Sequence, residues 1–110
     1  MAQAHTPSGQ VVRLRPLGAQ IGQTSSSAIL KAGQLEAMRI VLPAGKSLPQ
    51  HQTPGEATVL CLEGEVELHN AQGTQTMQAG DFVHLQARAP HALRALQDAS
   101  LLVTVCLLPG

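Results

Sequence analysis

From Val11 onward, apolar residues come in short runs, broken every eight to twelve residues by Gly, Pro, Asn or Asp. That rhythm predicts strands joined by tight turns. Leu35–Leu42 reads as a strand stopped by Pro43-Ala44-Gly45, and residues 58–62 form a continuous apolar strand reaching Glu63-Gly64. Glu65-Val66-Glu67-Leu68-His69 alternates charged and apolar positions, and Asn70-Ala71-Gln72-Gly73 turns the chain back into residues 74–78. Ala79-Gly80-Asp81 makes the next corner. Residues 82–85 are then a strand, 86–90 a loop and 91–96 a strand, and 101–108 close the domain after Gln97-Asp98-Ala99. No segment sustains a helical period, with room for one turn over residues 26–34. Many short strands at this spacing predict an all-β sandwich or barrel with little or no helix. Residues 1–10, small and polar, read as a flexible tail, and 11–110 as one domain.

The last strand is apolar on both faces, with Leu101, Leu102, Val103, Val105, Cys106, Leu107 and Leu108 interrupted only by Thr104. Such a strand needs cover on both sides. One face fills the interior. The other calls either for a second subunit, which makes a homodimer through a sheet face, or for the N-terminal segment folded over it.

Composition narrows the function classes. Apolar residues are 44% of the chain, yet Phe82 is its single aromatic, so the core is aliphatic and offers no stacking platform for single-stranded nucleic acid. Seven basic and seven acidic residues cancel, leaving no basic excess to drive counterion release, which argues against nucleic acid as a partner. The first residues lack the basic and apolar stretches of a secretory signal, and no apolar run approaches the roughly 20 residues of a membrane span. Cys61 and Cys106 each sit inside an apolar run, which favours buried free thiols over a disulfide, and no Cys-x-x-Cys pair suggests zinc. A cytoplasmic protein with no membrane partner is the expectation.

Candidate chemistry lies in two stretches, residues 43–64 and 79–91. In the first, Gly45 is followed by His51 after five intervening residues, and Leu62-Glu63-Gly64 closes the stretch. In the second, Gly80-Asp81 is followed by Pro90-His91, with eleven residues from Gly80 to His91. The pair, in this order, resembles the two motifs of the cupin superfamily, and the resemblance spans residues 35–108. It implies a jelly-roll barrel, a double-stranded β-helix of the RmlC-like kind, with the motifs on neighbouring strands. In metal-binding cupins the ligands are typically three His and one Glu. His51 and His91 match two of those positions, Thr53 stands where the second His would be, and Ala57 where the Glu would be. Gln86 and Arg88 replace the usual Pro and Gly of the second motif. The metal motif is degenerate.

Two imidazoles alone are a poor home for a divalent ion, since catalytic sites usually use three protein ligands and an uncompensated charge inside an aliphatic barrel is costly. Glu56 precedes Ala57 by one position, which on a regular strand sends it to the opposite face, although Gly55 permits a backbone that would re-aim it. His84 and Gln86 precede His91 and are further candidates, His84 reading more simply as an outward side chain. Glu63, Glu65 and Glu67 recur every second residue and read as a wet strand face. Arg88 and Arg94 belong to the rim and read as solvated.

Three functions follow from these residues. One is a barrel that binds a small organic molecule at His51, His91, Thr53, Ala57 and Gln86. The second is a metal enzyme of dioxygenase or isomerase type, with Zn, Ni, Fe or Mn on His51, His91 and either Glu56 or His84. The third is a non-catalytic sensing or scaffold module, for which this sequence shows no output domain. Fold alone does not choose among them.

Overall fold

The structure, a computed structural model, describes residues 5–108 of the 110-residue chain. Nine strands follow a 3-10 helix at Gly18–Gln23: β1 Ser27–Lys31, β2 Leu35–Leu42, β3 Ser47–His51, β4 Ala57–Glu63, β5 Glu65–Asn70, β6 Gly73–Gln78, β7 Phe82–Leu85, β8 His91–Ala95 and β9 Ala99–Cys106. They form a five-stranded sheet in the order β1-β2-β9-β4-β7 and a four-stranded sheet in the order β3-β8-β5-β6. Every pairing is antiparallel. This is the jelly-roll barrel that the family resemblance implied.

Two elements depart from the sequence expectation. Residues 26–34, where a helical turn had room, contain β1 instead, because pairing with β2 satisfies its backbone and extends the sheet. The sequence pattern does not mark β3, because Pro49 lies inside it. A proline removes a ladder donor, and it is tolerated here because β3 is an edge strand that pairs only with β8.

Alternation along the strands builds the interior. On β4, Ala57, Val59 and Cys61 are buried, and on β9 Leu101, Val103 and Val105 face the same space, met from the smaller sheet by Leu68 and Leu93. Each fully buried aliphatic side chain contributes roughly 1.5–3 kcal/mol. No aromatic ring enters this core, since Phe82 is 62% exposed. The two cysteines are free. Cys61 is buried, as expected, but Cys106 is only half-buried, because it follows inward-facing Val105 and so takes the outer face. Burial pushes the Cys61 thiol above its ordinary pKa.

The outer face of the larger sheet is covered in part. The segment before β1 runs across it, with Thr6 N donating to Ile29 O and Ile21 buried. Glu63 is the fastening point. It accepts from the backbone amides of Leu17 and Gly18, pairs with Arg39 at 3.1 Å and accepts from the buried Ser100 hydroxyl. This corrects the wet-face reading of Glu63: Gly64, with φ 81°, interrupts the strand between Glu63 and Glu65, so the three glutamates do not share one face. The row Phe82–Leu60–Leu102, set by the β7–β4–β9 register, lies on this outer face, with Phe82 exposed and Leu60 and Leu102 half-buried.

Candidate functional site

β3 ends on His51 and β8 begins on His91, and the antiparallel register makes them direct partners. Their ring centroids are 4.2 Å apart with planes inclined at 61°, an edge-to-face pair. Both rings line a cavity of about 280 Å³ between the sheets, walled by Met38, Val59, Leu93 and Val103 among other aliphatics. The space exists because Ala57 and four Val or Met side chains meet there without an aromatic to fill it.

Hydrogen bonding fixes how the rings present themselves. His91 Nδ1 donates to Ala89 O at 3.1 Å, and His51 Nδ1 donates to Pro49 O at 3.0 Å. A carbonyl oxygen can only accept, so Nδ1 carries the hydrogen in each ring, and a neutral imidazole is left with its lone pair on Nε2. His91 is 4% exposed, and that burial pulls its pKa below the ordinary imidazole value. The Ala89 carbonyl opposes this shift, and the neighbouring His51 reinforces it. His91 is therefore neutral near pH 7. His51 is exposed at the mouth.

The other sequence candidates divide cleanly. Thr53 and Ala57 line the same cavity as the two histidines. The Thr53 hydroxyl donates to Gly55 O at 2.9 Å. Glu56 does not turn inward: its Oε1 lies 2.6 Å from His84 Nε2, and both side chains are at least half exposed. Thr58, the register partner of His84, marks that face as the outer one, so the strand period holds and Gly55 does not re-aim the carboxylate. Gln86 is also exposed, because it follows the inward-facing Leu85, and it borders a separate surface depression with His84 and Asn70. Arg88 sits in the loop before β8, its Nη1 3.4 Å from Pro54 O, and Arg94 makes a surface pair with Glu67 at 3.7 Å. A wider depression of about 610 Å³ lies beneath the N-terminal segment, but no histidine of the β3–β8 pair reaches it.

The two motifs do not point to one further polar residue of the cavity. Glu36 lines the space with the histidines. The signal was present in Leu35–Leu42, whose even-numbered residues include the core-packed Met38, Ile40 and Leu42. Strand alternation carries Glu36 to that face with them. The apolar residues on both faces of β2 obscured it.

The comparisons with known proteins bear on this geometry. Residues 38–107 match the family model described as the cupin domain. The chain belongs to the cupin family. Among solved structures, this cupin is similar to a conserved protein of unknown function from Streptococcus pyogenes, with 21% identity, a TM-score of 0.74, and 100% and 97% of the two chains covered. It is similar to a cupin superfamily protein from Desulfitobacterium hafniense, with 16% identity, a TM-score of 0.75 and coverage of 89% and 95%. An RmlC-like cupin from Desulfovibrio desulfuricans matches at 22% identity and a TM-score of 0.70, covering 97% and 98%. These likenesses establish the fold. No curated protein matches the chain.

Many cupins hold a divalent metal, and the donors of this one do not fit that group. Among the described residues no cluster of three or more His, Cys, Asp or Glu is arranged to hold an ion. His51 and His91 are adjacent, but Thr53 and Ala57 supply a hydroxyl and a methyl where the family pattern has His and Glu. Glu56 and His84, the candidate replacements, face away together.

Proposed function

We propose that this cupin binds a small organic molecule in the cavity between its sheets, against His51, His91 and Thr53. The observation that carries the reading is an aliphatic chamber of about 280 Å³ ending on two adjacent imidazoles, one of them buried. Apolar walls with a few convergent polar groups are the usual make-up of a ligand site. The volume lies at the small end for such sites, which suits a compact molecule rather than a nucleotide or a polymer.

Protein purified without a chelating tag is to be analysed for metal and, by native mass spectrometry, for a co-purifying small molecule, beside a His51→Ala, His91→Ala double variant. A retained or titrated organic ligand that the double variant loses supports the reading. Stoichiometric metal lost in the double variant replaces it with the metal-enzyme alternative.

We also propose a cytoplasmic homodimer that buries the Phe82–Leu60–Leu102 strip. An aromatic 62% exposed beside half-buried leucines is the kind of surface that dimer interfaces cover. Sedimentation should show a dimer that Phe82→Glu dissociates. A monomer at micromolar concentration would remove this part of the proposal and leave the cavity reading intact.

A further inference from the structure

The polar groups around the cavity share one property. Each has spent its hydrogens on backbone carbonyls or has none to give. The Nδ1 hydrogens of His51 and His91 go to Pro49 O and Ala89 O, and the Thr53 hydroxyl goes to Gly55 O. What remains toward a ligand is two imidazole lone pairs and the lone pairs of a hydroxyl. Glu36 adds a carboxylate, which only accepts.

Register places that carboxylate closely. Glu36 is the partner of Val105 on β9, and Val105 is the partner of Ala57 on β4. The three lie in one inward row across β2, β9 and β4. Glu36 is thus two strand spacings, roughly 9.5 Å, from the position where the family pattern has its glutamate. Among the described residues its carboxylate has no hydrogen bond or ion pair. Lys31, its register partner on β1, is exposed and forms no ion pair with it. No Lys or Arg lines the cavity.

A chamber whose polar complement is all acceptors, with one fixed negative charge and apolar walls, matches a ligand that donates hydrogens, carries a positive charge and has a hydrocarbon body. We propose that the cavity selects a small aliphatic primary ammonium, with Glu36 as the residue that sets the charge preference. This inference rests on the cavity being a small-molecule site.

The test uses three probes of one body and different heads: hexylammonium, 1-hexanol and hexanoate. Binding is followed at pH 8 by the methyl NMR shifts of Met38, Val103 and Val105. Hexylammonium should bind at least about tenfold more tightly than hexanoate, with hexanol between. In Glu36→Gln the ammonium should lose that advantage to within about twofold, while hexanol is unchanged, and Glu36→Lys should invert the order. Hexanol moving the cavity methyls while the ammonium binds no better, or binds only at exposed carboxylates, overturns the charge inference alone. If no probe of any charge moves those methyls, the small-molecule reading falls.

Discussion

Arg88 carries a backbone φ of 62°, in the left-handed region that side chains rarely adopt. It stands where the second family motif has glycine, and the backbone there takes a conformation that suits glycine. Hydrogen bonding from Arg88 N to Thr53 O at 2.7 Å ties the loop to the segment beside His51 and holds that shape. A left-handed residue with a Cβ costs about 1–2 kcal/mol, part of which glycine returns as unfolded-state entropy. Arg88→Gly should therefore stabilise the protein by about 0.5–1 kcal/mol in urea unfolding. An unchanged or lower midpoint would show that the Arg88 side chain contributes more than its backbone strain costs. His91 supplies a second test at this scale. Its pKa is lowered in the fold, chiefly by burial, so the unfolded chain takes up the proton first as pH falls. The stabilisation is complete above the ordinary imidazole value of about 6.5 and is lost as pH falls through the lower folded value. Unfolding midpoints between about pH 8 and 5 should decline, and His91→Gln should flatten that decline.

At the scale of the element, the N-terminal segment is clipped to the sheet by Glu63. Arg39, Glu63 and Ser100 come from three neighbouring strands, and the Glu63 carboxylate gathers both side chains together with two backbone amides from the segment. Burial alone would raise the Glu63 pKa. The Ser100 hydroxyl, the amides of Leu17 and Gly18, and the Arg39 charge together bring it below the ordinary carboxylate value. The clip is thus whole above the ordinary value of about 4.5 and loosens as pH falls through the lower folded one. Glu63→Ala strands the buried Arg39 guanidinium, whose Nε already lacks a partner. The expected loss is about 3–5 kcal/mol, with faster hydrogen exchange at the Leu17 and Gly18 amides than in the wild type. Loss of stability without faster exchange at those amides would mean that the segment is held by Ile21 instead. Gly64, next along, has φ 81°, and a Cβ there would lie 2.1 Å from Asp98 O, so the turn that separates Glu63 from Glu65 admits only glycine.

At the scale of the whole molecule, two sheets with aliphatic inner faces enclose more space at one end than their side chains fill. Ala57 is the pivot of that end: it is 3% exposed, lines the cavity, and stands where the family pattern places a carboxylate. Ala57→Glu should bury an unpaired charge and lower the melting temperature of the metal-free protein. With His51 and His91 it would complete two imidazoles and a carboxylate, a common set for a divalent ion. Added Zn, Ni or Mn should then restore the melting temperature and bind at least about tenfold more tightly than to the wild type in calorimetry. No gain in metal affinity would show that the His51–His91 geometry itself has drifted from a ligating one.

The sequence by itself determined the strand pattern, the barrel and the positions of His51 and His91. Alternation and turn residues act locally, and the motif spacing links two segments that the fold makes neighbours. It also carried the losses at Thr53 and Ala57, because a methyl is no ligand in any fold. Only the tertiary structure decided which face each acidic residue takes. Glu56 went outward to His84, Glu63 inward to a clip for the N-terminal segment, and Glu36 to the cavity across two strands from Ala57. β2 has apolar residues on both faces, so its pattern leaves the inward face open until β9 fixes the register. The carboxylate that the motif lacks reaches the chamber from a strand far from it in sequence, and pairing within the larger sheet is what brings it there.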